Sequence, residues 1–258
     1  MTAVTVITGA SAGIGTELAR VFARNGHTLA LVARRRERLD ELSAEIAATG
    51  QPAPVVLPAD LAQPDGAAHL GSMLESRGLE PRFVVNNAGF GLVGRAATLD
   101  RAEQLAMIDL NVRTLTDLSL AFVPSLIRNR GGLLNVASVA GFLPGPGSAV
   151  YYATKAYVLS FTEALHVELK SQNLRVTCLC PGPVATEFQA RAGVPHARIS
   201  GFLGVPAAQV AEAGYDGLMR NKRVVMPGFG NKLVTTILRF APRQALLAAV
   251  DARQRGRA

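Results

Sequence analysis

The sequence contains little cysteine, few aromatic residues and little charge. Among 258 residues there are two cysteines, no tryptophan, 5% aromatic residues and 18% charged residues. Cys178 and Cys180 are two positions apart, with no cysteine or histidine at a spacing suited to zinc. We therefore expect two small buried side chains rather than a disulfide or a metal site. Without a disulfide framework, the reducing cytoplasm is the expected compartment.

Long hydrophobic runs are missing as well. No stretch of about 20 uncharged apolar residues could cross a membrane. The first ten residues also lack the basic region and the long apolar core of a signal peptide. Repeats and low-complexity linkers are absent, yet hydrophobic residues make up 49% of the chain. This composition is ample for one buried core.

The formal net charge is +8, and the excess is concentrated in residues 33–39 and in the C-terminal tail, which contains Arg253, Arg255 and Arg257. Nucleic acid or an anionic membrane surface could bind such a distribution of charge. However, no aromatic residues are interleaved with the arginines to stack on bases. A solvated arginine-rich surface is the expected explanation, and no nucleic-acid partner is predicted.

Short apolar runs alternate with stretches of helical periodicity along the whole chain. The runs that predict strands lie at 3–8, 27–33, 54–60, 82–89, 132–138, 174–182 and 222–228. They are rich in valine and leucine without alternation, which is typical of parallel strands buried on both faces. They predict an α/β fold with a doubly wound, Rossmann-type sheet of about seven parallel strands and helices on both faces. Residues 1–230 are expected to form this single domain, and residues 231–258 a basic amphipathic extension.

A glycine-rich turn, TGASAGIG, follows the first predicted strand. Gly9 permits a tight turn, Gly13 lets the backbone approach a pyrophosphate, and Gly15 lets the following helix pack closely on the strand. The backbone N–H groups at the start of that helix, around Ile14, face the anion, and Ser11 adds a hydroxyl donor. The turn therefore predicts a dinucleotide-binding site.

The residues after the second strand indicate which dinucleotide binds. NAD sites place an acidic residue there for the ribose 2′-hydroxyl, whereas this chain has Arg34 and Arg35 after Ala33. Guanidinium groups suit a phosphate dianion in charge and in bidentate geometry, which favours NADP(H). In the alternative interpretation, the arginines only begin a solvated helix and Glu37 turns inward.

The stretch YYATK brings two phenols close to one lysine. Tyr151 lies four residues and Tyr152 three residues before Lys155, so either phenol can share a helix face with the ammonium group. Ser148 is a candidate N-cap, which would put Tyr151 in the first turn. The lysine and the helix N-terminus would both favour the phenolate and lower the pKa of Tyr151. These residues predict an acid–base group for hydride-transfer chemistry, while Tyr152 is expected to pack or to bind substrate.

With these motifs the sequence resembles the short-chain dehydrogenase/reductase family over nearly its whole length. The motifs occur in the family's order and are TGASAGIG (8–15), DL (60–61), NNAG (86–89), Asn111 in DLNV, Ser138 in NVASVAG, YYATK (151–155) and PGPVATEF (181–188). Ser138 lies 13 residues before Tyr151, which is the family's spacing of serine and tyrosine. The resemblance therefore selects Tyr151 over Tyr152.

The resemblance implies a role for each catalytic residue. Tyr151 would be the general acid/base, and Ser138 would hydrogen-bond and polarise the substrate oxygen. Lys155 would bind the nicotinamide ribose hydroxyls and lower the pKa of Tyr151. Asn111 would hold a water that links Lys155 to solvent as a proton relay.

The resemblance also implies the rest of the cofactor site. Asp60 and Leu61 would flank the adenine, and Asn87 and Gly89 would line the cleft at the fourth strand. Val184 and Thr186 would hold the carboxamide and phosphate side. One position departs from the pattern, because many NADP-dependent members have a basic residue where this chain has Ala12. The NADP(H) assignment therefore depends on the arginines after the second strand.

Three segments are expected to surround the substrate: 141–144, 90–93 and a glycine-containing lid at about 183–206. Their composition is mostly apolar, which predicts a small apolar ketone, aldehyde or secondary alcohol. In the alternative interpretation these side chains only pack beneath the loops. The apolar residues predicted for the lid are Phe188, Val194, Ile199, Phe202 and Leu203, with Gly193, Gly201 and Gly204 between them.

The C-terminal extension predicts amphipathic helices interrupted at Pro242. Docking on the domain or on a second subunit is its expected role, with peripheral attachment to an anionic membrane as the alternative. The resemblance implies a homodimer or homotetramer paired through helices at 103–128 and 151–170. A non-catalytic, cofactor-binding regulatory protein on the same fold is the alternative to an enzyme.

Overall fold

The computed structural model describes residues 1–192, 203–238 and 241–255. Seven strands form one sheet in which every pair is parallel, in the order β3-β2-β1-β4-β5-β6-β7. The strands are β1 (Thr2–Thr8), β2 (Leu29–Ala33), β3 (Val55–Pro58), β4 (Leu79–Asn86), β5 (Gly132–Val136), β6 (Arg175–Leu179) and β7 (Val224–Val225). The predicted doubly wound α/β class is confirmed.

Helices connect the strands and cover both faces of the sheet. They are α1 (Gly13–Arg24), α2 (Arg36–Ala48), α3 (Gly66–Glu75), α4 (Arg101–Ile108), α5 (Leu115–Arg128), α6 (Ala149–Glu168), α7 (Glu187–Arg191), α8 (Ala207–Met219), α9 (Phe229–Leu238) and α10 (Arg243–Arg255). A π-helical turn at Asp109–Thr114 joins α4 to α5, and single 3₁₀ turns occupy Val139–Phe142 and Lys170–Gln172. Among the described helices, none combines the length and the hydropathy needed to span a bilayer.

Alternate residues of the central strands face opposite sides of the sheet, as strand geometry requires. In β1, Ile7 packs in the same buried cluster as Leu18 and Phe22 of α1. Val4 and Val6 point to the other face, where the covering helices contribute Leu70, Leu118, Phe122, Leu126 and Leu165. This double burial explains why the strand sequences are apolar without alternation.

Element boundaries differ from the predictions where the chain leaves the sheet. β4 ends at Asn86, so the rest of NNAG forms a loop, and β7 has only two residues. The helix predicted at 103–128 is divided by the π-helical turn. The helix break predicted at Pro242 is confirmed, while residue 231 lies within α9 rather than at its start. Cys178 and Cys180 are buried free thiols, as predicted, with sulfur atoms 3.6 Å apart.

The strand order places a cleft at the carboxyl ends of β1 and β4. The chain runs outward from β1 through β2 to β3 and then returns to β4, which pairs with β1 on its other side. The loops after these two neighbouring strands therefore diverge and leave a crevice, the usual ligand site of an open α/β sheet. The cleft has a volume of about 560 Å³.

Candidate active site

The glycine-rich turn lies at one end of this cleft, directly after β1. Gly9 and Gly13 have φ values of 65° and 59°, in the left-handed region that favours glycine. A Cβ atom on Gly15 would overlap the Gly9 carbonyl oxygen, so the third glycine permits close packing of α1 on the turn. Ala12 supplies no side-chain cap to α1, and the first turn of the helix contains no acidic residue. The first N–H groups of the helix are therefore suited to an anion, and the turn fits a dinucleotide pyrophosphate.

The loop after β4 holds the glycine-rich turn in place. Asn87 donates from Nδ2 to the carbonyl oxygens of Thr8 and Gly9, at 3.0 and 3.2 Å. The Thr8 hydroxyl in turn accepts from the backbone N–H groups of Asn87 and Ala88, both at 3.0 Å. The side chain of Asn87 therefore positions the turn as well as bordering the cleft. Thr8 has this role too, and the sequence analysis did not identify it.

The arginines after β2 reach the cleft from its open side. Arg35 donates to the Ser11 side chain and carbonyl oxygen at 3.2–3.4 Å. Arg35 also pairs with Glu187 of α7 at 2.8 Å, and Arg38 pairs with the same carboxylate at 3.5 Å. Glu37 is exposed and is not among the described residues that line the cleft. The arrangement favours the guanidinium interpretation over the inward-turned glutamate.

Asp60 and Leu61 lie beside the arginines and also line the cleft. The Asp60 carboxylate accepts from the Ala62 backbone at 3.1 Å and from Gln63 Nε2 at 3.2 Å, which fixes the turn after β3. The Leu61 carbonyl oxygen accepts from the Thr114 hydroxyl at 2.7 Å. On the opposite wall, Val184 is buried, and Thr186 packs against Gly13.

Tyr151 and Ser138 meet at the deep end of the cleft. Ser138 follows β5, and its hydroxyl accepts from the Ala140 backbone at 3.1 Å. Tyr151 lies in the first turn of α6, which begins after Ser148 as predicted, although the Ser148 side chain forms no cap hydrogen bond. Ser138 hydrogen-bonds the Tyr151 phenol, which lowers the pKa of that phenol. The two hydroxyl groups therefore form a pair that faces the same space.

The predicted effect of Lys155 on the pKa of Tyr151 is wrong in this structure. Burial raises the pKa of Tyr151 to about 12, and it outweighs the Ser138 hydrogen bond. The Lys155 ammonium lies 6.0 Å from the centre of the phenol ring and donates to the Val136 carbonyl oxygen at 2.9 Å. Burial also lowers the pKa of Lys155 to about 8. Besides burial, the groups that shift the pKa of Tyr151 are Ser138 and Tyr152.

Asn111 lies behind the cleft, in the π-helical turn. Its Nδ2 donates to the Phe90 carbonyl oxygen at 2.8 Å and to the Thr154 hydroxyl at 3.2 Å, while Oδ1 accepts from the Phe90 N–H at 3.1 Å. All three contacts are to protein atoms, so the side chain ties the loop after β4 to α6. The water relay predicted for Asn111 stays a prediction.

Phe188 covers the catalytic end of the cleft. Its ring centre lies 5.6 Å from that of Tyr151, and the two rings approach Gly91 so closely that a Cβ there would lie 2.9 Å from Phe188. Tyr152 points elsewhere and packs its ring on Gly145, which agrees with the packing role expected for it. Of the apolar residues predicted for the lid, Val194, Ile199 and Phe202 lie outside the described residues, as do Gly193 and Gly201.

The structure thus gathers the predicted site residues along one cleft. Two of them do not line it, because Gly15 lies beneath the glycine-rich turn and Asn111 lies behind the loop after β4. The sequence analysis gave no role to Glu187 or Thr154. No sequence pattern indicated a role for Glu187, because the arginines that it pairs with are distant from it in the chain. Chemically, the cleft offers an anion site at one end and a proton donor at the other.

Known proteins share this combination of fold and site. The sequence profile described as short chain dehydrogenase matches residues 3–194. Sulfoacetaldehyde reductase 2 from Chromohalobacter salexigens is 38% identical over 191 residues, which cover 73% of this chain and 75% of that protein. The chain belongs to the short-chain dehydrogenase family, and it is an oxidoreductase of that family.

Solved structures agree with the fold over nearly the whole chain. A short-chain dehydrogenase from Sphingobium yanoikuyae in complex with NADPH superposes with a TM-score of 0.82 and 32% identity, covering 96% of each chain. A bulky-bulky ketone specific alcohol dehydrogenase from Comamonas testosteroni has a TM-score of 0.77 and 27% identity, over 96% of this chain and 94% of its own. The family assignment therefore extends to the whole architecture.

Proposed function

We propose that this protein transfers a hydride between NADP(H) and an apolar ketone, aldehyde or secondary alcohol, with Tyr151 as the general acid/base. The observation that carries the proposal is that the Tyr151 phenol and Ser138 interact at the end of a cleft whose other end fits a dinucleotide phosphate. When bound, NADP(H) supplies the hydride in reduction and accepts it in oxidation. The tasks left to the protein are to orient the substrate and to move one proton.

The proton chemistry follows from the two hydroxyl groups. In reduction, the Tyr151 phenol donates its proton to the substrate carbonyl oxygen, while the Ser138 hydroxyl donates a hydrogen bond to the same oxygen. A pKa of about 12 keeps the phenol protonated at neutral pH, which is the state that reduction requires. Oxidation of an alcohol needs the phenolate and is therefore favoured at higher pH.

The NADP(H) assignment is supported by the position of Arg35 beside Ser11 of the glycine-rich turn, with Arg34 also lining the cleft. The Sphingobium relative, which is 32% identical, was solved with NADPH. Replacing Arg35 with alanine is expected to weaken NADPH binding and leave NADH binding nearly unchanged, because only NADPH has the 2′-phosphate. Equilibrium titration of both cofactors measures this, and a wild-type preference for NADH would overturn the assignment.

The apolar substrate class is supported by the side chains around Tyr151. Phe90 and Phe188 border this end of the cleft. Among the described lining residues the cations are Arg34, Arg35 and Lys155; the arginines lie at the far end, and Lys155 is bonded to a backbone oxygen. Among the residues described, Lys155 is therefore the one cation that an anionic substrate would find at the reacting end, and its ammonium group is already bonded to the Val136 carbonyl oxygen.

A small anionic aldehyde is the second candidate substrate, because one relative at 38% identity is a sulfoacetaldehyde reductase. The two candidates are separated by comparing kcat/KM for a bulky apolar ketone and for sulfoacetaldehyde under the same conditions. We expect the ketone to be the better substrate. A marked preference for sulfoacetaldehyde would overturn the apolar assignment but leave the proton chemistry intact.

The role of Tyr151 is tested by Tyr151→Phe. General acid catalysis contributes about 10²–10⁴-fold, so kcat/KM for carbonyl reduction should fall by that factor. The NADPH dissociation constant should stay nearly the same, since the ring and its packing remain. Unchanged reduction by the phenylalanine variant would remove Tyr151 from the mechanism. A wild-type protein that binds NADPH but reduces no carbonyl compound would instead favour the regulatory alternative.

A further inference from the structure

Helix α9 turns two polar side chains towards the protein and three large apolar side chains towards solvent. Asn231 and Thr235 are only 2% and 3% exposed, whereas Phe229, Leu233 and Ile237 are 76%, 43% and 57% exposed. Each set recurs every four residues, so each forms one stripe along the helix. A surface helix of a globular protein normally shows the reverse arrangement. Packing among the residues that the structure describes therefore leaves the outward stripe largely exposed.

The inward polar face of α9 is firmly attached to the wall of the cleft. Asn231 donates from Nδ2 to the carbonyl oxygens of Leu203 and Pro227, at 3.2 and 2.8 Å. Thr235 donates to the Asn231 carbonyl oxygen at 2.8 Å. The Asn231 side chain also lies directly against Gly182, which lines the cleft. These contacts fix the direction in which the apolar stripe points and place it beside the substrate end of the cleft.

The segment that contains this helix is strongly cationic. Residues 227–258 contain six basic residues and one acidic residue, so they carry +5 of the chain's formal charge of +8; the basic residues are Lys232, Arg239, Arg243, Arg253, Arg255 and Arg257. On α10, Leu247 is a further large apolar residue that is 38% exposed. Apolar side chains flanked by arginine and lysine are the composition of helices that lie on anionic membranes.

We propose that the outward stripe of α9, together with the cationic segment that follows it, binds the surface of an anionic membrane. A second copy of this chain is a poorer occupant. A two-fold pairing through this stripe would bring two segments of charge +5 together. Three side chains also provide much less apolar surface than the roughly 800 Å² per partner that a stable interface buries. An anionic lipid surface matches both the charge and the small size of the stripe.

Co-sedimentation of the full-length protein with vesicles tests the proposal. Wild-type protein is expected to bind vesicles of equal parts phosphatidylglycerol and phosphatidylcholine, and to bind pure phosphatidylcholine weakly. Binding should decrease as salt is raised, because screening weakens the attraction of the basic residues to the lipid. Failure to bind the mixed vesicles, or equal binding to both kinds, would overturn the proposal.

Two variants identify the stripe as the contact. Phe229→Ser, Leu233→Ser and Ile237→Ser combined should reduce the vesicle partition coefficient by about tenfold or more, since each loses buried apolar area in the membrane interface. The matched control, Phe229→Leu, Leu233→Met and Ile237→Leu combined, keeps the stripe apolar and should bind as wild type does. Circular dichroism and NADPH titration confirm that both variants are folded.

The oligomeric state of the serine variant separates the two occupants of the stripe. Sedimentation velocity should give the same oligomer for the serine variant and for wild type if the stripe contacts lipid. Loss of an oligomer in this variant, with vesicle binding unchanged, would show that the stripe is a subunit interface and would contradict the membrane proposal. This result does not depend on the proposed reaction, because neither measurement involves turnover.

Discussion

The lysine at the floor of the cleft is held almost entirely out of water. Lys155 is 6% exposed, and its described hydrogen bond is to the Val136 carbonyl oxygen. Burial lowers its pKa from 10.5 to about 8. Near neutral pH the ammonium form therefore predominates at a cost in stability, and a small rise in pH removes the charge.

This shift predicts that the chain becomes more stable, relative to Lys155→Met, as pH rises from 8 towards 10. Above the folded pKa of about 8 and below the unfolded value of 10.5, Lys155 is neutral when folded and protonated when unfolded. Folding then releases a proton, so raising the pH favours the folded state by up to about 1.4 kcal/mol per pH unit. Tyr151 also begins to ionise in the unfolded chain near pH 10, but it is present in both proteins and therefore contributes equally to both.

Guanidinium chloride unfolding at several pH values measures the effect for both proteins. The methionine variant has no titrating group at this position. Subtracting its pH dependence from that of wild type therefore removes the contribution of all other titrating groups. If the free energies of unfolding of the two proteins change with pH in the same way from pH 8 to pH 10, the lysine keeps an ordinary pKa in the folded chain.

The identity of the site residues could be predicted from sequence, but their electrostatics could not. Tyr151, Ser138 and Lys155 were found because the spacing of a helix and the order of the motifs are visible in one dimension. The direction of the Tyr151 pKa shift depends on how much protein surrounds the phenol and on what the lysine bonds to. Both are properties of packing between β5, α6 and α7, so the sequence-based expectation was wrong in sign.

Helix α7 connects the two ends of the cleft through three consecutive residues. Thr186, just before the helix, packs on Gly13; Glu187 pairs with Arg35 and Arg38, and Phe188 lies against Tyr151. The carboxylate therefore contacts the same guanidinium groups that we propose for the 2′-phosphate of the cofactor. Two anions in one place repel each other, and this competition should reduce the affinity for NADPH.

Glu187→Gln is accordingly expected to tighten NADPH binding and to leave NADH binding unchanged. Arg35 and Glu187 are about half exposed, so solvent screens the pair, and the gain should be modest, about two- to fivefold in dissociation constant. Fluorescence titration at low salt measures both cofactors. Weaker NADPH binding by the glutamine variant would mean that Glu187 helps to hold the arginines in place rather than competing for them.

Glu41→Gln is the matched control for this prediction. Glu41 is an exposed carboxylate on α2 that pairs with Arg38 at 3.4 Å but lies away from the cleft. Its removal changes the net charge by the same amount and should leave both dissociation constants nearly unchanged. An equal gain from the two variants would show a general effect of net charge instead of a local competition.

At the scale of elements, sequence periodicity predicted the regular strands but missed the π-helical turn and the orientation of α9. All seven strands were predicted, because buried parallel strands are continuously apolar. The π-helical turn at Asp109–Thr114 was read as ordinary helix, since one extra residue in a turn leaves the hydrophobic pattern nearly unchanged. The inverted face of α9 was also missed, because a helix with one apolar stripe does not reveal which side faces the protein.

At the scale of the whole molecule, a second exposed apolar surface lies on the helices that cover one face of the sheet. It comprises Leu105 and Ile108 of α4, Leu120 of α5, and Tyr157 and Val167 of α6. Leu120 and Val167 are 52% and 65% exposed. These are the helices through which subunits were predicted to pair, at 103–128 and 151–170. Unlike α9, they carry no concentrated positive charge, since acidic and basic residues both occur along them.

We therefore expect the wild-type protein to form the predicted oligomer, Leu120→Lys to convert it into smaller species, and Leu233→Lys on α9 to leave it intact. An ammonium group in an apolar interface loses its hydration without gaining a partner, so the dissociation constant of the oligomer should rise by at least about tenfold. Sedimentation velocity at several protein concentrations measures both variants against wild type. The two leucines have similar exposure, 52% and 43%, so the same substitution is compared on two surfaces. If Leu233→Lys dissociates the oligomer and Leu120→Lys does not, subunits pair through α9, and both the predicted interface and the membrane assignment of α9 are wrong.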